Sequence, residues 1–213
     1  MTPASTAATV DADVRESWIP MIAIALGQAI MSFNVAALPV SMSGMVASFG
    51  VPPTTVATGI VMYSLAVAGL VMLGAKLTQR FGATTMFRIV VAIYAVAQTL
   101  MTLSPNATLM LAAQGLCGMS AAVIVPALVA LIANHYHGSQ RAGASAAAFL
   151  IGGVLGTFIG WRPVFGILVL VSGLVFILSF KLKKDVRRPE VRIDAVDVVL
   201  AAAAIILIKL LWL

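Results

Sequence analysis

Acidic residues are missing from the middle of this chain. All seven, Asp11, Asp13, Glu16, Asp185, Glu190, Asp194 and Asp197, lie near its ends, and none falls within a long apolar run. Charged residues make up 9% of the sequence and hydrophobic ones 62%, with a mean hydropathy of +1.09. Soluble domains carry about 25% charged residues, so this much apolar surface excludes an ordinary water-surrounded fold. The single cysteine, Cys117, excludes a disulfide within the chain. No G-x-x-x-x-G-K-S/T loop is present, which excludes transport driven by an ATPase of its own. His135 and His137 have no carboxylate or thiol beside them, so no metal site is expected and no cofactor either. A net charge of +6 raises the question of nucleic acid, but the bases sit in short runs between apolar stretches, the pattern of a membrane protein, and no nucleic-acid partner is expected.

What remains is a series of apolar runs long enough for a bilayer core about 30 Å thick. Six qualify, at about Trp18–Met42, Val56–Ala75, Phe87–Leu103, Ala107–Asn134, Ala142–Gly160 and Pro163–Phe180. The sequence predicts an all-α integral membrane protein: a tail over 1–17, a six-span bundle over 18–180, a basic link over 181–197, and over 198–213 the start of a seventh helix, interrupted by Lys209 and cut short. The tail is acidic on balance, so it is not a signal peptide. With the N-terminus inside, eleven bases face inward (Arg15, Lys76, Arg80, Arg88, Arg141, Lys181, Lys183, Lys184, Arg187, Arg188, Arg192) and two outward (Arg162, Lys209). Cationic loops resist translocation, so this orientation in the cytoplasmic membrane is expected. Trp18, Trp161 and Trp212 all fall at span ends, where amphipathic rings settle.

Leu38-Pro39-Val40 and Gly50 repeat as Val125-Pro126-Ala127 and Gly138, at offsets of 87 and 88 residues. That spacing predicts two inverted three-helix repeats. In the fifth run Ala144, Ala148, Gly152, Gly156 and Gly160 recur every four residues and form a smooth face for helix packing; Gly115, Gly118 and Ala122 do the same on the fourth.

Several motifs then resemble one family. Ala75-Lys76-Leu77-Thr78-Gln79-Arg80-Phe81-Gly82, between the second and third runs, resembles the cytoplasmic loop signature G-x-L-a-D-r-x-G-r-k of the major facilitator superfamily. Leu77, Arg80 and Gly82 match it, while Ala75, Gln79, Ala83 and Thr84 replace its glycine, acid and basic pair. Gln114-Gly115 resembles the R-x-x-Q-G segment with Leu111 for the arginine, and Gly152-Gly153 followed by Trp161-Arg162 resembles the end of the antiporter signature. Through Phe33-Asn34-Val35-Ala36-Ala37-Leu38-Pro39 and the basic link, the chain is most similar to the fourteen-span drug:proton antiporter branch, over its N-terminal half and shortened around the fifth span. The resemblance implies export of small amphipathic compounds by alternating access, with a second six-helix bundle, a copy or a separate chain, as partner. A nontransporting scaffold or a degenerate remnant stays open beside it.

Amides and hydroxyls are the polar groups inside the runs, chiefly Gln28, Asn34, Tyr63, Gln98, Gln114 and Ser120. The resemblance makes spans one and four line a central cavity, which implies Gln28, Asn34, Gln114 and Ser120 as substrate contacts. The alternative is hydrogen bonding between helices. Gly118-Met119-Ser120-Ala121 also resembles the serine motif of intramembrane rhomboid proteases, but both histidines lie at the end of the same run, so no base reaches Ser120 and no catalytic residues are expected. Proton coupling is not expected either, since no acid lies within the spans.

Overall fold

The computed structural model describes residues 18–135 and 161–182, with single positions at 190, 199 and 203. Among them every regular element is an α-helix: α1 (Trp18–Val40), α2 (Met42–Phe49), α3 (Pro53–Phe81), α4 (Ala83–Thr102), α5 (Ala107–His135) and α6 (Trp161–Ser179). All but α2 are long and apolar enough to cross a membrane. They correspond to the first, second, third, fourth and sixth apolar runs. The fifth run, with Gly152, Gly156 and Gly160, lies outside the described residues, as does Gly138.

Local chemistry explains the boundaries. Pro39 has no N–H to offer the Val35 carbonyl, and the chain turns at Ser41 before resuming as α2. Gly50, at φ 63°, closes α2 in the left-handed conformation with its N–H on the Val46 carbonyl at 3.0 Å. Pro53 opens α3 at the position where its missing N–H costs nothing. Asn106 starts α5, its side-chain oxygen accepting the Leu109 N–H at 2.9 Å.

One boundary differs from the sequence reading. The expected loop at 75–82 is mostly helix: α3 runs on to Phe81, and Gly82 alone, at φ 89° and ψ 139°, joins it to α4. Nothing between Gly74 and Gly82 breaks a helix, and Lys76, Leu77, Gln79 and Arg80 are all good helix formers. Their long stems also let charged heads reach the interface without ending the helix.

Two arginines fix the relative direction of α4 and α6. Arg88, in the second turn of α4, donates to the Ser179 carbonyl from Nε at 3.0 Å and Nη2 at 2.9 Å, and from Nη2 to the Leu182 carbonyl at 3.3 Å. Arg162, at the start of α6, donates to the Ser104 carbonyl beyond α4 at 3.4 Å. The two helices are therefore antiparallel, and the bundle has an Arg88 end and a Ser104 end.

Helix α5 sits in the middle, packed on α1, α3 and α4, while α6 covers α1 and α4. Phe87, Tyr94 and Met101 of α4 and Met110, Ile124 and Leu131 of α5 are wholly buried between them. The α3–α5 contact is made by backbone. A Cβ on Gly118 would lie 2.5 Å from the Tyr63 carbonyl oxygen, and one on Gly74 would fall on the Ala122 carbonyl oxygen. Pro126, four residues on, has no N–H to give Ala122, so the freed carbonyl faces the Gly74 backbone. Gly115, by contrast, has open space where a Cβ would stand, with nothing within 4 Å of that point.

Candidate functional site

The polar centre of the bundle is a chain of three amides from three helices. Gln98 of α4 donates through Nε2 to Asn34 Oδ1 of α1 at 2.9 Å, and Asn34 donates through Nδ2 to Gln114 Oε1 of α5 at 3.3 Å. Gln114 Nε2 ends the chain on the Met101 thioether at 3.7 Å, a weak acceptor. All three amides are at most 1% exposed. From the fourth side α3 approaches with Gly59, where a Cβ would meet Gln114 Cγ at 3.6 Å. Tyr94, one turn before Gln98, adds a second α4–α1 link by donating to the Ile30 carbonyl at 3.1 Å. In hydrocarbon these groups need partners, and here they supply one another. The exception is Gln98 Oε1, which is buried with no hydrogen-bond partner among the described residues, as are the hydroxyl oxygens of Thr78 and Ser172.

The four expected substrate contacts fall into two tiers. At 1.5 Å per residue, Asn34 and Gln114 lie about 9–10 Å inside the Ser104 end, while Gln28 and Ser120 lie about 18–20 Å inside it. Asn34 and Gln114 are brought together; the other two are not bonded to them. Ser120 is 3% exposed and returns its hydroxyl to the Leu116 carbonyl at 3.0 Å within its own helix. Gln28 is partly exposed and makes no hydrogen bond among the described residues, so it alone of the four offers an unspent amide. The third amide of the chain, Gln98, is visible in the sequence as a polar residue in the third run, but the resemblance directs attention to spans one and four. Only its pairing across 64 residues reveals its role.

The loop signature splits in two. Leu77, Gln79 and Arg80 occupy the last turns of α3, with Gln79 and Arg80 exposed and the Arg80 guanidinium 5.7 Å from the Phe81 ring centre. Gly82 is the turn itself. No acid stands in this stretch, so the helix end carries positive charge only.

Residues 24–212 match the Major Facilitator Superfamily. The chain belongs to that superfamily. Its relatives include the methylenomycin A resistance protein of Bacillus subtilis (strain 168), 27% identical over 87% of this chain and 42% of the relative, and the lincomycin resistance protein of Streptomyces lincolnensis, 24% identical over 91% and 43%. The multidrug efflux pump LfrA of Mycolicibacterium smegmatis is 25% identical over 87% of this chain and 39% of its own. Among solved structures, the peptide transporter POT in complex with sulfate superposes with a TM-score of 0.65 at 12% identity, over 90% of this chain and 45% of that one. That similarity shows the superfamily fold. The chain spans about two fifths of the length of the curated relatives it matches. Superfamily membership makes this a multi-pass membrane protein and points to transport in place of enzyme catalysis.

Proposed function

We propose that this chain supplies the first six-helix bundle of an exporter of small amphipathic compounds that works by alternating access against a second bundle. The carrying observation is that antibiotic-resistance relatives align along nearly all of this chain while it spans under half of them. Rocking of one bundle about a shared site needs a partner, so flux requires a second bundle. In this reading 1–17 is a tail, 18–180 the bundle, 181–197 a basic link and 198–213 the opening of the next helix. The eleven-to-two split of bases supports an N-terminus on the inside of the cytoplasmic membrane. Gln28, with its amide unspent among the described residues, is the favoured substrate contact; Asn34, Gln114 and Ser120 join it only if their present hydrogen bonds open. Leu77, Gln79, Arg80 and Gly82 are read as the interfacial signature, and Gly152, Gly156 and Gly160 as a packing face.

The test is ethidium efflux from liposomes holding the chain alone or with a C-terminal six-helix half from one of the relatives. Flux with both halves, reduced by Gln28→Leu, is expected; no flux in either arrangement would favour a nontransporting scaffold. Because no acid lies between Trp18 and Leu182, an imposed pH gradient across liposomes holding the chain alone is expected to drive no movement. Sidedness is checked by labelling Pro105→Cys and Lys181→Cys, both exposed, in a Cys117→Ser background. Labelling from opposite faces, Lys181→Cys from inside, is the expected result.

A further inference from the structure

Between Trp18 and Leu182 the sequence holds six bases, Lys76, Arg80, Arg88, Arg141, Arg162 and Lys181, and no acid. The same stretch therefore supplies no carboxylate to balance the cations at the edge of this bundle. Arg88 is the most constrained of those described. Its Nε and Nη2 grip the carbonyl end of α6, which locks the side chain in one orientation. Its guanidinium lies 5.0 Å from the ring centre of Phe180, itself 60% exposed. Nη1 makes no hydrogen bond among the described residues, and the group is only partly buried. The helix end answers about half a unit of its charge, leaving a net positive corner to which the exposed Lys181 adds another unit. Below that corner runs an apolar row on one face of α6: Ile177 at 66% exposure, Leu174 at 47% and Leu170 at 74%.

We propose that Arg88, Phe180 and Lys181 form a site for the phosphate of an anionic membrane lipid whose acyl chain lies along Ile177, Leu174 and Leu170. The dimensions agree: residues 170 to 179 cover about 14 Å of helix and the turn at 180–181 follows, so the row spans roughly half of a 30 Å hydrocarbon core, the depth of one leaflet. The guanidinium supplies directed donors to phosphate oxygen and Lys181 supplies mobile charge. The exposed ring fills the boundary between headgroup and chain. Four further bases, Lys183, Lys184, Arg187 and Arg188, follow in the sequence with one acid, Asp185, among them, and this net positive segment favours anionic lipid.

Native mass spectrometry of the purified full chain tests this with phosphatidylglycerol and phosphatidylcholine of matched chains. Phosphatidylglycerol should be retained about fivefold or more over phosphatidylcholine, as expected for at least one interfacial base. Arg88→Gln also removes the grip on α6, so the deciding variants are Lys181→Gln and Phe180→Leu, which leave that grip intact. Lys181→Gln should lower the preference about fivefold, Phe180→Leu should weaken binding of phosphatidylglycerol, and Arg162→Gln at the opposite end should change neither. Equal retention of the two lipids, or an unchanged preference in Lys181→Gln, overturns the site. Displacement of the lipid by inorganic phosphate at equal concentration would show that the corner recognises phosphate alone and overturns the acyl-chain half.

Discussion

The α3–α5 seam and the α1–α4–α5 knot hold helices together in opposite ways. The seam works by omission: Gly74 and Gly118 have no side chains, so backbone meets backbone and the carbonyl freed by Pro126 finds the Gly74 backbone. The knot works by addition, three amides joined by two hydrogen bonds with the last donor spent on the Met101 thioether. In a membrane, apolar contact between helices has no advantage over lipid, so association depends on close packing or on polar pairing. Close packing tolerates no added atom, whereas a polar chain can lose a member and leave its neighbours to rearrange. The two regions should therefore fail differently.

The largest effect is expected at the seam. Gly74→Leu and Gly118→Leu drive a side chain into the opposing backbone, at a cost of about 3 kcal/mol or more, since neither neighbour is a side chain that can swing away. Both should lower the melting midpoint in detergent strongly, while Gly115→Ala, with open space around it, stays near wild type. If all three melt alike, the seam is not close-packed. An intermediate effect is expected at the knot. Asn34→Leu removes the middle amide and strands the Gln98 amide nitrogen and the Gln114 oxygen, at about 1–2 kcal/mol. Replacing all three amides by leucine should recover part of that loss; a triple variant weaker than Asn34→Leu would show that the knot contributes more than mutual satisfaction. The smallest effect belongs to pH. With no acid between Trp18 and Leu182, histidine is the one side-chain type in that stretch whose unperturbed pKa, about 6.5, falls in the range from pH 5 to 8, and the stretch holds two, His135 and His137. Melting curves of both seam and knot variants should be nearly level across that range, and a steep slope would reveal a titrating group coupled to one of the two regions.

The five spans among the described residues could be read from the sequence because each run is long, free of acids, uncharged apart from Arg88, and bounded by proline, glycine or a polar turn such as Ser104–Asn106. The helical character of 75–81 was not legible there, since polar residues at a membrane interface look alike in a loop and in a protruding helix. The amide pair Asn34 and Gln114 was anticipated as polar and internal, but not as mutually bonded, because partners 80 residues apart leave no local signal. The same holds for Arg88, whose partner carbonyls lie 91 and 94 residues away and belong to backbone, which carries no sequence signature at all. Loop charge counts Arg88 as one more inward base; the fold uses it to finish α6.

Gly82 has a mechanical consequence. A helix of 29 residues and one of 20 meet at a single residue held at φ 89°, with the Gly82 N–H on the Thr78 carbonyl and the Met86 N–H on the Gly82 carbonyl, both at 3.0 Å. Such a joint has no slack. One residue spans only about 3.8 Å, so a displacement of the α3 end must carry the first turn of α4 with it, and Arg88 in the second turn is bonded to the end of α6. Inserting two or three glycines at this joint would let one helix swing without the other.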